Sequence, residues 1–388
     1  ARRNHRRDVA RRPSAAESIT LLQALEVVPE PRHRRGCRHP LQRVLYLALG
    51  AVLAGADSWA AIADWAAVTD HDVAVGRRSP HASTFRRLLG RVEVTALEAA
   101  LTGWVLGRRD TAARQAAAAG GPVAERRMVL AADGKTLRGA HQPDGSQTKL
   151  FCLYDHAHQL VLAQTPVLDG DEIAAFTTAL AALPDLSGVV ITADALHCQR
   201  EHARWLHERG GHYLFTVKTN QPTLRRAVAA LPWAQAPGSR RRQAGHGRTE
   251  FRSIKVLDLD GHPIQALFPH AQRAIKVVRR RRCRRTGQRS VETVYAVTSL
   301  DYRHADPGLL AVWIQGHWGV ENRVHHVRDV TQSEDRSRIR AGSGPHVLAT
   351  LRNTALNLHR LDGHTNIARA QRRTAWRAGA ALQTINAA

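Results

Sequence analysis

From Met128 to Asn220 the apolar residues follow a fixed order of spacings that few folds can accept. VLAADG and the two halves of KLFCLYDHAHQLVLAQTPV alternate as strands do, the latter pair reading as a hairpin that turns near Ala157. DEIAAFTTALAAL takes helical spacing after a cap near Asp169, and GVVITADA is a short apolar strand. HCQREHARWLHERG is a helix stopped by Gly210, and HYLFTVKTN is a fifth strand. Three strands, a helix, a strand, a helix and a strand predict an α/β unit built on a mixed sheet, with its first strand central and its fourth beside it.

That order is the order of a ribonuclease H-like domain, here with five strands and flanking helices. Asp133 and Asp194 each close one of its short apolar runs. Such a domain needs one more acid-bearing helix against the same sheet, and it does not come at once. Residues 222–308 intervene, where FRSIKVLDLDG, RAIKVVRRRRC and SVETVYAVTSL alternate and predict a β-rich basic insertion. Helical spacing resumes in LLAVWIQGHWGVENRVHHVRDV, which carries Glu321.

The rest of the chain is organised around this unit. Residues 1–40 form an Arg-rich arm, and 41–120 a helical region read from LQRVLYLALGAVLAGA, SWAAIADWAAV, STFRRLLGRV and LEAALTGWVLGRRD, expected either as a DNA-binding domain or as a small bundle with a basic face. Residues 125–221 are the first part of a catalytic domain, 309–362 its last part with the glutamate helix, and 363–388 a basic, poorly patterned tail. The net charge of +24 over 388 residues points to a polyanionic partner. Arginine supplies most of it and grips phosphate bidentately. Four scattered cysteines without a CxxC pair argue against zinc ribbons and disulfides, and so predict a reducing compartment. The longest apolar run, Val44 to Ala56, is shorter than the roughly 20 residues of a membrane span.

Carboxylates suit hard divalent cations, and two such ions about 3.5 to 4 Å apart can stabilise both oxygens of an in-line displacement at phosphorus. Asp133 is the expected bridge, with Asp194 and Glu321 each favouring one ion. Each acid also has a plain structural alternative. Asp133 before Gly134 could make a turn, Asp194 could cap the next helix, and Glu321 could pair with His325 one turn on. The candidate DNA contacts are Lys135 and Arg138 after the first acid, Lys218 at the end of the fifth strand, and His317, Arg323 and Arg328 around the glutamate. Arg328, two turns on, is expected to share the face of Glu321. Trp318 is read either as a base-stacking ring or as core. Arg86 and Arg87 in the third N-terminal helix, and Arg280, Arg281 and Arg282 within the phosphate-contacting run Arg279–Arg285 of the insertion, complete the set. Zinc is disfavoured: there is no HExxH, and the adjacent His325 and His326 point about 100° apart on a helix.

Over nearly its whole length the chain resembles insertion-sequence transposases of the DDE, ribonuclease H-like superfamily, in the H-repeat-associated or ISAs-type group. The matching segments are RGCRHPLQRVLYLALGAVLAGADSWAAIADW, AADGKTLRGA, ITADALHCQ, FTVKTNQPTL and HWGVENRVHHVRDVTQSEDRSRIRAGSGPHVLATLRNTALNL. The resemblance implies a DNA transposase with Asp133, Asp194 and Glu321 as its acidic triad and two magnesium ions, manganese being able to substitute. It implies binding to the double-stranded ends of its own element and to target DNA, and a homodimer that could form on DNA. It also implies a bacterial, cytoplasmic, nucleoid-associated protein with no membrane. An inactive or repurposed DNA-binding descendant is the alternative. The tyrosine, arginine and lysine positions of the related signature hold Ile314, His317 and Arg328, with Gln315 where a basic residue is expected.

Overall fold

A computed structural model describes residues 19–69, 78–118, 127–141, 145–245, 247–377 and 379–388. Most of the Arg-rich start, residues 1–18, lies outside the described residues, as does the linker 70–77. The strands are β1 (Val129–His141), β2 (Gln147–Asp155), β3 (Val161–Pro166), β4 (Val190–Ala193), β5 (His212–Val217), β6 (Gly238–Gly245), β7 (Arg248–Asp258), β8 (Arg273–Cys283) and β9 (Arg289–Thr298). All nine join one mixed sheet in the order β3-β2-β1-β4-β5-β9-β8-β7-β6. β2 runs antiparallel to β1, while β4 and β5 run parallel to it, so the first strand is central and the fourth is its neighbour.

The expected five-stranded sheet is corrected by this order. β9 pairs antiparallel with β5 from Leu214↔Thr298 to Val217↔Tyr295, and the basic insertion continues the sheet instead of standing apart. A sheet ending at β5 would leave a row of unpaired backbone groups, and β9 satisfies them. β6, GSRRRQAG, is not predicted from sequence because it is exposed almost throughout and has no apolar alternation to mark it. Nor does β1 end at Asp133. It runs on to His141, and a Cβ at Gly134 would lie 2.5 Å from the Glu172 carboxylate. Close packing within a strand, not a turn, accounts for that glycine.

Side chains alternate across the sheet, so its two faces carry different cores. Phe151 and Leu153 of β2 face the helix Glu172–Ala181, which Asp171 caps by accepting from Ala174 N at 2.9 Å. Ala131, Cys152 and Tyr154 face the opposite way, onto Val320, Val324 and Leu356. The helix Gly344–Leu361 packs on the N-terminal helix Leu41–Leu53, and the N-terminal helix Val94–Ala118 packs on β3. One buried cluster therefore runs from the N-terminal helices into the sheet. At roughly 1.5–3 kcal/mol per buried aliphatic side chain, Leu45, Leu49 and Leu351 help weld the two regions together. The C-terminal residues read as poorly patterned form helices Ile367–Trp376 and Ala380–Asn386. Ala381, Leu382 and Ile385 bury against the rest, and Trp104 Nε1 donates to the Ala388 carbonyl at 3.0 Å. Ile367 and Ala370 bury one side of the first of these helices, and tertiary contact stabilises both.

Candidate active site

Asp133 and Asp194 stand one residue beyond Ala132↔Ala193, the last pair between two parallel strands, so they lie side by side where β4 ends while β1 runs on, paired with β2. Asp194 also caps the turn Ala195–His197, with Leu196 N donating to its Oδ1 at 2.9 Å. The capping role and the site position coexist. Glu321 arrives on the sheet face that carries Ala131, Cys152 and Tyr154, the same face as Asp133. Its segment begins as the helix Pro307–His317, which lies against β1 and β4. Gly316 permits that approach, since a Cβ there would lie 2.5 Å from His156 Nδ1.

At Glu321 the helix widens into a π-turn, Glu321–His325, before resuming at His326–Val330. Wide turns of this kind are frequent at functional sites. Here it sets His325 Nδ1 3.1 Å from Glu321 Oε2 and 3.6 Å from Asp133 Oδ2. Asp133, Glu321 and His325 each offer a donor atom within 4.8 Å of the others. Asp194 stands outside that group but lines the same cavity, of about 530 Å³, with Asp133 and Glu321. His326 is exposed while His325 is buried, as adjacent helical positions require.

The acids crowd one another. Burial, then the charge of Asp194, with Glu172 and Glu321 adding, pushes Asp133 up to about 7 against a lone hydrogen bond from Gly134. Glu321 moves the other way, below the usual carboxylate range, because His325 donates to it. Burial lowers the His325 pKa, so its ring is neutral near pH 7. Hard oxygen donors around a carboxylate that resists ionisation are a set that a divalent cation would relieve.

The basic residues named from the sequence are placed variously. Lys218 is exposed and lines the cavity. Trp318 is not core; it is 39% exposed, with the guanidiniums of Arg279 and Arg252 at 5.3 and 5.9 Å from its ring. His317 lines the cavity too, but burial lowers it to about 4 and its Nδ1 lies 3.2 Å from Thr192 Oγ1, so it brings no charge at neutral pH. Lys135 is buried, with Nζ 2.6 Å from Asp329. Arg138 is exposed, 3.6 Å from Asp335. Arg323 is exposed and touches Tyr154.

Arg328 does not share the face of Glu321. It is fully buried, its guanidinium bonded twice to Glu334 at 2.8 Å and also to Gln164 and Asn353. The extra residue in the π-turn rotates the succeeding helical turn by roughly 100°, which ideal helical spacing could not anticipate. Arg86 and Arg87 are exposed on the helix Ala82–Leu89, and Arg87 lines a basic groove with Arg32, Arg38, Arg78 and Arg91.

Alternation divides the run of arginines in β8. Arg281 shares the cavity-side face and bonds Glu250 at 3.0 Å, while Arg280 and Arg282 point to the other face. Beside Lys218 and Arg240, the cavity is walled by Arg241, Arg252 and Arg279, opposite one another across β6, β7 and β8, with Arg279 paired to Glu292 and Arg252 to Glu250. Arg241 and Arg252 are not among the residues expected from sequence; Arg279 opens the run Arg279–Arg285, read there as phosphate-contacting. Counting every second residue in FRSIKV and KVVRRRR would have selected Arg252 and Arg279; β6 offers no such signal.

Residues 22–105 match the family model described as DDE_Tnp_1-associated, and residues 124–358 match the one described as Transposase DDE domain. The H repeat-associated putative transposase YhhI of Escherichia coli (strain K12) is 27% identical over 363 residues, covering 87% of this chain and 89% of the relative. A Xanthobacter autotrophicus protein described as uncharacterized, in the dhlA 3′ region, is 32% identical over 295 residues, covering 73% and 94%. Among solved structures, a chain of the piggyBac transposase synaptic complex with hairpin DNA aligns at 10% identity and a TM-score of 0.42, covering 94% of this chain and 79% of that one. Among the described residues no helix is long and apolar enough to cross a membrane.

Proposed function

Because this chain belongs to the DDE transposase family, we propose that it binds the inverted-repeat ends of an insertion sequence, hydrolyses phosphodiester bonds there and joins the freed 3′-hydroxyl to target DNA. The observation that carries this reading is one cavity lined by Asp133, Asp194 and Glu321 and walled by Lys218, Arg241, Arg252 and Arg279. Carboxylates at its floor and guanidiniums on its wall suit a phosphodiester that approaches along the basic sheet.

Asp133 would bridge two divalent ions, magnesium in the first instance, with Asp194 and Glu321 each holding one of them. When bound, the ions supply the positive charge that stabilises an in-line displacement at phosphorus. The chain's own groups do the rest. Lys218 and the three arginines neutralise the flanking phosphates, Trp318 presents a ring face for an unstacked base, and the neutral His317 fixes the helix to Thr192. Water attacks first and one P–O bond breaks as another forms; the 3′-hydroxyl so released then attacks the target phosphorus in the same manner. Residues 125–221 and 309–362 form the catalytic domain, with 222–308 inserted between them. The N-terminal helices offer Arg86 and Arg87 to the duplex, and the basic ends of the chain add phosphate contacts. Two ends must be held together, so a homodimer assembled on DNA at the nucleoid is the expected working form.

A second reading has one observation in its favour. The signature's arginine position is a neutral histidine and its lysine position is a buried arginine, as in a repurposed, non-catalytic DNA binder. Strand transfer on element-end oligonucleotides with magnesium separates the two. The Asp194→Ala chain is expected to lose products by about a thousandfold or more, the share of a barrier that a few kcal/mol of charge stabilisation represents. Equal products from both proteins would discard catalysis.

A further inference from the structure

One member of the donor group belongs to no triad. His325 is 3% exposed, its Nδ1 faces Glu321 and Asp133, and its Nε2 lies 3.6 Å from Cys152 Sγ. Cys152 is the cross-strand partner of Asp133, so carboxylate and thiol stand beside each other on one face and the imidazole spans both. We propose that His325 Nδ1 is a direct ligand of one divalent cation, together with Asp133 and Glu321, and that this oxygen-oxygen-nitrogen set favours manganese over magnesium at that position. The inference rests on the acidic site proposed above and deepens it by naming the ion.

Two features support a ligand over a simple partner for Glu321. The first is the π-turn. An ordinary α-helical turn would already let residues 321 and 325 meet, yet the wider turn also carries the ring to Asp133 on a different element. The second is Cys152. For Nδ1 to offer a lone pair, the ring proton must sit on Nε2, and that proton needs an acceptor in a buried place. Cys152 Sγ provides one. This sulfur is buried and lies on the Nε2 side of the ring, away from the Nδ1 that faces the two carboxylates. Before an ion arrives, Nδ1–H donates to Glu321 and the thiol donates to Nε2. With an ion bound, Nδ1 would release its proton to water and Nε2 would take one from water, so the exchange balances without drawing on the thiol.

Magnesium takes oxygen ligands and holds its waters, whereas imidazole nitrogen suits manganese and later divalent metals. The test uses the full-length chain stripped of metal. Manganese binding is followed by loss of the free-ion EPR signal, magnesium by competition, and the ligand by ¹⁴N modulation in pulsed EPR of bound manganese. Wild type is expected to show coupling to a directly bound imidazole and to hold manganese about tenfold or more tighter than magnesium. In His325→Ala the coupling should vanish and manganese affinity should fall about tenfold, with magnesium nearly unchanged. If that variant does not fold, His325→Gln keeps most of the volume and gives the same readouts. Bound manganese without ¹⁴N coupling in wild type, or coupling that persists in the variants, overturns the assignment while leaving the carboxylate site standing. Failure of wild type to bind either ion overturns both.

Discussion

Two carboxylates separated by a few residues of shared scaffold, Glu334 and Asp133, live in opposite electrostatic surroundings. Burial alone would raise Glu334, but the guanidiniums of Arg328 and Arg352 outweigh it and hold the group at about 2. Asp133 is pushed to about 7 by burial and by other acids. The same scaffold serves both: Lys135, two residues along β1 from Asp133, lies 4.0 Å from Glu334, and Arg328 comes just after the π-turn that starts at Glu321. The difference separates two purposes. The Glu334 cluster is charge-paired within the folded chain, Arg328 and Arg352 both bonding Glu334, and fixes the glutamate segment against the sheet. The Asp133 cluster is left short of positive charge, as a site completed by a ligand must be.

The largest expected effect breaks the Glu334 cluster. Glu334→Leu should cost about 3–5 kcal/mol in urea unfolding, since it strands two buried guanidiniums. Asp133→Asn, by contrast, should leave stability equal or raise it by up to about 1 kcal/mol while abolishing strand transfer. A similar loss in both variants would erase the distinction between them.

Acid titration sharpens the comparison. Glu334 has its pKa lowered from 4.5 to about 2, so its contribution is fully present above pH 4.5 and is lost as pH falls toward 2. Wild type should therefore lose more stability across that window than Glu334→Leu does, as read from urea midpoints at each pH. A smaller effect concerns the two faces of the insertion. Arg252→Ala and Arg279→Ala should each lower the salt slope of DNA binding by about one, because each removes a phosphate contact in the cavity. Arg280→Ala and Arg282→Ala, which face away, should change binding of a short end duplex less.

Much of the α/β core that carries the acids is legible in the sequence because its signals are local. The order of strands and helices, the alternation in VLAADG and KLFCLYD and the acids near strand ends are all readable within a few residues of each other. The illegible part depends on partners distant in the chain. Nothing in SVETVYAVTSL says that it will pair with HYLFTV, and without that the sheet looks five strands wide instead of nine. Arg328 reads as a phosphate clamp until Glu334 and Gly344–Leu361 close around it, and Lys135 until Asp329 takes it. His325 reads from sequence as an ordinary helical neighbour of Glu321, which it also is.

The sequence by itself determined which elements form and which residue types are near their ends, because apolar period and capping chemistry are set by neighbours along the chain. Only the tertiary structure decided which charges are consumed in folding and which face the cavity. That choice depends on burial and on contacts between residues far apart in the chain, such as Lys135 with Asp329, and on a single extra residue in one helical turn.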